Sequence, residues 1–153
     1  MNMDNVKNAL QDLIMRLNDA EKGYMEISDA VKDEKLKRWM SNYAKERRKM
    51  RRRLEGFMKR FGGEAKSTTS FLGNMHRIFI GFKVNYFSDD FESIFNEIDR
   101  GSKVLLQDYQ KCLDELKLPL DLHNELKKQM LNVKSELAIL EKMHSEFQAE
   151  EIS

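Results

Sequence analysis

From Met3 to about Val31, apolar side chains recur at Val6, Leu10, Leu13, Leu17, Ala20, Tyr24, Ile27 and Val31. That is the three-and-four spacing of a helix with one buried stripe. The stripe breaks at Lys32-Asp33-Glu34, where Asp33 is a candidate N-cap, and resumes at Leu36, Met40, Tyr43, Met50, Leu54, Phe57 and Phe61. Gly62-Gly63 then supplies a residue able to take the left-handed conformation that closes a helix. After the turn signal Ser67-Thr68-Thr69-Ser70, the segment Phe71 to Phe87 is rich in aromatics and fits a lone helix. A fourth stripe follows the acidic cap Ser88-Asp89-Asp90, from Phe91 through Ile98, Leu105 and Tyr109 to Leu116. A fifth starts at Pro119 and carries Leu122, Leu126, Met130, Val133, Leu137, Leu140, Met143 and Phe147. The pattern predicts helices over about residues 3–31, 33–61, 70–86, 89–116 and 119–148.

Short links join the first pair and the last pair of long helices, so each pair must form an antiparallel hairpin. The long link between the hairpins makes the second and third bundle helices parallel. The expected fold is therefore all-α: a ferritin-like four-helix bundle with a long crossover containing a short extra helix, in one domain over residues 1–153. The stripes are broader than a coiled-coil seam, and each helix has its own breaker.

Composition agrees with long helices: a single proline, seven glycines and 35% charged residues leave few points where a helix must break. The lone cysteine, Cys112, lies beside Tyr109, Leu113 and Leu116 in helical register and reads as a core thiol. No basic, apolar leader opens the chain and no uncharged run is long enough to span a bilayer, so a cytoplasmic protein without a membrane partner is expected. The net charge of +1 hides an asymmetry. Residues 1–64 hold 16 Lys+Arg against 11 Asp+Glu, and the remainder holds 11 against 15. Complementary halves can satisfy each other or a second copy. With two apolar faces on the connecting helix, this predicts a homodimer and disfavours nucleic acid as a partner.

Helical register places Glu21, four after Leu17 and three before Tyr24, on an inward face, and Glu46 at mid-length of the second helix. A buried carboxylate pair is the start of a two-metal site, which in helical bundles also takes Glu-x-x-His from two helices. Lys49 stands where the second helix would need its histidine, and His76, His123 and His144 lie too far apart to share one site. The pattern favours a hydrogen-bonded polar layer of Glu21, Glu46, Ser102, Gln129, Asn132 and Glu136, joined by one of Tyr24, Tyr43 or Arg47, with an arginine or a proton relieving the carboxylate repulsion. On that reading, Glu21→Gln and Glu46→Gln are tolerated or stabilising. Seven basic residues in the nine positions from Lys45 to Arg53 form a second candidate, with Lys45, Arg48, Lys49, Arg52 and Arg53 on outer or flanking faces. No phosphate loop, catalytic triad order, Cys-x-x-Cys pair or His-Glu-x-x-His string occurs.

Several strings now combine: Asn18-Asp19-Ala20-Glu21-Lys22-Gly23-Tyr24, Glu46-Arg47, Phe61-Gly62-Gly63-Glu64, and His76-Arg77 with Lys83. In order and spacing, across roughly residues 8–145, they resemble a ferritin-like family of bacterial four-helix-bundle proteins of uncharacterised function. The resemblance implies a ferritin architecture and an ancestral metal site. The chain departs from the family pattern at Gly101-Ser102, where an acid would continue the third bundle helix. The expected function is a non-enzymatic binding or assembly protein with a degenerate metal site and no cofactor. The alternative is a carboxylate-bridged iron or manganese oxidase or iron-handling protein using Glu21, Glu46 and a third ligand from Glu97 or Glu136. A third reading is anion or nucleic-acid binding through the basic face.

Overall fold

Asp33 ends the first turn of the chain as its sequence position suggests. In the computed structural model its carboxylate Oδ1 accepts from the Leu36 amide at 2.8 Å, capping the helix that follows. The structure describes residues 3–66 and 91–152, and all four of its elements are α-helices: α1 (Met3–Ala30), α2 (Glu34–Arg60), α3 (Phe91–Glu115) and α4 (Leu120–Ile152). The protein is all-α, with no strand among the described residues. The helix expected over 70–86, and with it His76, Arg77, Lys83 and the Ser88-Asp89-Asp90 cap, lies outside the described residues. Backbone packing divides the chain into two compact units, Met1–Asp90 and Phe91–Ser153. Each is built on an antiparallel helical hairpin.

In the first unit, α1 and α2 face each other through Leu10, Leu13, Leu17, Tyr24 and Ile27 on one side and Leu36, Met40, Tyr43, Met50 and Leu54 on the other, all buried. The tight end is latched twice: the Ser28 hydroxyl donates to the Lys37 carbonyl, and the Lys37 ammonium donates to the Ser28 carbonyl, both at 2.9 Å. The open end is closed by the chain leaving α2. Gly62 takes φ +77°, its amide donates to Lys59 O at 3.0 Å and the Gly63 amide to Met58 O at 2.9 Å. This is the two-bond C-terminal closure in which glycine at the left-handed position avoids a Cβ clash. Lys66 is then tied back to α1, since the Gln11 side chain both donates to its carbonyl and accepts from its amide at 3.0 Å.

In the second unit, α3 buries Ile94, Phe95, Ile98, Leu105 and Tyr109, and α4 buries Leu122, Leu126, Met130, Val133, Leu137 and Leu140. Cys112 is a buried thiol. Polar bonds join the helices near both ends. Tyr109 donates to Gln129 near the turn, and His144 with Glu92 makes a 2.6 Å pair at the far end, where the His144 ring also packs 5.2 Å from Phe95. No described helix is long and apolar enough to cross a membrane.

Candidate functional site: a charge clamp and a basic helix face

Glu21 reaches the α1–α2 interface as its register predicts, and its side chain is only 12% exposed. Both oxygens are occupied by α2: Oε2 accepts from Arg48 Nε and Oε1 from Arg51 Nη2, each at 2.8 Å. Arg51 also donates from Nη1 to Glu55 Oε1 one turn further on, at 2.6 Å. Its Nε is the single buried side-chain N or O atom without a hydrogen-bond partner among the described residues. Burial by itself would raise the Glu21 carboxyl. The hydrogen bonds and charges of Arg51 and Arg48 outweigh it and hold the group below its ordinary value. Burial likewise opposes the Arg51 charge, and Glu21 and Glu55 overcome it, raising that pKa.

Glu46 does not join Glu21. Its side chain is 47% exposed and lies 3.5 Å from Lys49, and Arg47 takes the inward place instead at 1% exposure. The reason is register: Arg47 is four after Tyr43 and three before Met50, in the middle of the buried stripe, whereas Glu46 is turned about 100° away from it. Arg47 places its guanidinium 5.5 Å from the Tyr24 ring centroid, and Nη1 lies 3.5 Å from Met50 Sδ. The 43–47–50 spacing was the available signal for a buried arginine. It is masked by the surrounding run of cations.

The remaining members of the expected polar layer separate in the same way. Ser102 and Gln129 are buried. Asn132 is exposed and Glu136 half-buried, because Val133 and Leu137, one residue later in each case, carry the apolar stripe. Gln129 anchors a short relay: its Oε1 accepts from the Tyr109 hydroxyl at 2.7 Å and its Nε2 donates to Glu125 Oε2 at 2.9 Å. Removing that hydroxyl by Tyr109→Phe takes a donor from a buried amide, and a loss of about 1–2 kcal/mol in urea unfolding is expected. Among the described residues, no three His, Cys, Asp or Glu side chains form a group able to hold a metal ion. His123 and His144 are on α4, with His144 engaged by Glu92. A metal ion approaching Glu21 would meet the positive charge of Arg48 and Arg51.

Lys45, Arg48, Lys49, Arg52 and Arg53 are all exposed on α2. They belong to a larger asymmetry. Helix α2 carries twelve Lys and Arg against three Asp and Glu, while α1 and α3 each carry three against six and α4 carries four against seven. Of these four helices, α2 alone is net positive. Like charges at the i, i+4 pairs Lys45/Lys49, Arg48/Arg52 and Lys49/Arg53 oppose helix formation by about 0.2–0.5 kcal/mol each. The stripe is thus held against its own repulsion by the apolar face behind it.

A family model described as "Domain of unknown function (DUF2383)" matches residues 5–115. The chain belongs to the DUF2383 family. The DUF2383 match begins within the first turn of α1 and stops at the last residue of α3, so it includes the Glu21 clamp and the whole basic face of α2. Tyr109 lies inside the DUF2383 span and its partner Gln129 outside it. No curated protein matches the chain.

Proposed function

We propose that this DUF2383 chain is a non-catalytic binding protein on a ferritin-like helical scaffold, in which the carboxylate that would have served a metal centre now clamps α1 to α2. The observation that carries this reading is the double engagement of Glu21 by Arg48 and Arg51. A carboxylate held as an anion by two guanidinium groups already has both oxygens engaged, and their positive charge opposes the approach of a metal cation. With Glu46 turned toward solvent beside Lys49, the acids identified in the sequence act as separate structural groups. What α1 and α2 offer the outside is a surface, dominated by the cations of α2.

Anaerobic loading with iron(II) or manganese(II), followed by plasma mass spectrometry, tests the proposal. Wild type and Glu21→Gln are expected to retain equal, substoichiometric metal. Retention of about two ions per chain by wild type, absent from the variant, would restore a two-metal centre and overturn it.

A further inference from the structure

The outer face of α2 carries a row of cations, broken once at Gly56. Lys45, Lys49 and Arg52 lie along its centre line, within about 60° of one another around the helix, and Lys59 and Arg60 continue the row about two turns on. From Lys45 to Lys59 the row covers about 21 Å at helical rise, the axial length of about six phosphates along one nucleic-acid strand. Gly56 interrupts the cations near the C-terminal end of α2, between Arg53 and Lys59. It is exposed, and a Cβ built there would meet nothing within 4 Å. Packing does not call for glycine at that place, and its effect is a side-chain-free notch where an extended ligand can approach the backbone.

We infer that this face binds the phosphodiester backbone of nucleic acid without reading its sequence. The inference rests on the binding-protein reading above and names the partner. Arginines in the row, Arg52 among them, offer planar forks that match phosphate oxygens, and the lysines add point charges. The exposed α2 residues include no large apolar side chain to insert into a lipid surface; among the described residues the exposed large hydrophobics are Met25, Leu120, Leu131 and Ile139, on α1 and α4. An acidic second copy is a poorer match. On α3, the acids Glu97 and Asp99 are already neutralised in cis by Arg100 and Lys103, and on α4 the exposed Lys127, Lys128, Lys134 and Lys142 interrupt the negative charge. The row also lacks a stacking aromatic on its centre line, so it would touch phosphates and not bases.

Fluorescence anisotropy with labelled single- and double-stranded DNA and RNA of mixed sequence tests this, across a salt series. Expected is sequence-independent binding that weakens steeply with salt. Lys45→Gln/Lys49→Gln/Arg52→Gln should weaken it roughly tenfold or more and lower the log–log salt slope by about three, one for each phosphate that is no longer neutralised. Lys127→Gln/Lys128→Gln/Lys134→Gln removes the same charge from α4 and should leave binding unchanged. Circular dichroism of both variants confirms that helices persist. No binding at low salt, or equal weakening by the two triple variants, overturns the assignment. Equal competition by polyglutamate at matched charge also overturns it, in favour of an acidic protein. The metal-loading result is independent of all of these outcomes, so failure of the partner assignment is distinguishable from failure of the binding-protein reading.

Discussion

Glu21→Gln is expected to destabilise the protein by about 2 kcal/mol at neutral pH, read as a lower urea midpoint with an unchanged slope. The substitution keeps the shape of the side chain but removes the charge that satisfies Arg51, a guanidinium with only 14% of its side chain exposed. Arg48, at 48% exposure, can turn to water and contributes little to the loss. The pH dependence follows from the sign of the shift. The folded-state pKa of Glu21 is lowered, so its contribution is fully present above the unfolded value of about 4.3 and is lost as pH falls through the folded value. The gap between wild type and variant should therefore be constant from neutral pH down to about pH 5 and close at lower pH. Glu46→Gln, at a half-exposed site beside Lys49, should be neutral within about 0.5 kcal/mol. A neutral Glu21→Gln would show that the clamp is geometric only. The sequence leads to the expectation that both glutamates tolerate amidation; the clamp geometry limits that expectation to Glu46.

Leu17→Ala should cost more, about 3 kcal/mol. Leu17 has no exposed surface and lies one helical turn before Glu21. Truncation removes buried methyl groups and leaves a cavity that α1 and α2 cannot fill without moving the clamp and the Ser28–Lys37 latch that hold their spacing. Urea unfolding measures the loss. The double variant Leu17→Ala/Glu21→Gln should deviate from additivity, because the two side chains occupy adjacent turns of one interface.

Much of this was legible in one dimension. Strong three-and-four stripes located α1, α2, α3 and α4 to within a few residues, since burying a helix face imposes a period that no other element shares. Asp33 and the Gly62-Gly63 pair identified the boundaries of α2 for local reasons: a carboxylate that caps free amides and a glycine that accepts positive φ. The exposure of Lys45, Arg48, Lys49, Arg52 and Arg53 followed from the same stripe.

The polar residues were harder to place. Glu46 and Arg47 differ by one position, and the sequence logic that charged residues turn outward favours neither. Packing put Arg47 over the Tyr24 ring and sent Glu46 to the flank. Pairing across helices was likewise invisible: Arg48 and Arg51 looked like two more cations in a basic run until the α1–α2 register brought Glu21 between them. Asn132 and Glu136 carried the right chemistry for a polar layer but fell one residue short of the buried stripe. By itself, then, the sequence determined the four described helices, the boundaries of α2 and the charged outer face of α2, because periodicity and capping are local properties of the chain. Only the tertiary structure decided which of the two candidate glutamates is clamped and which faces solvent, because a salt bridge between helices depends on their register, set by the packing of every apolar side chain along the shared face.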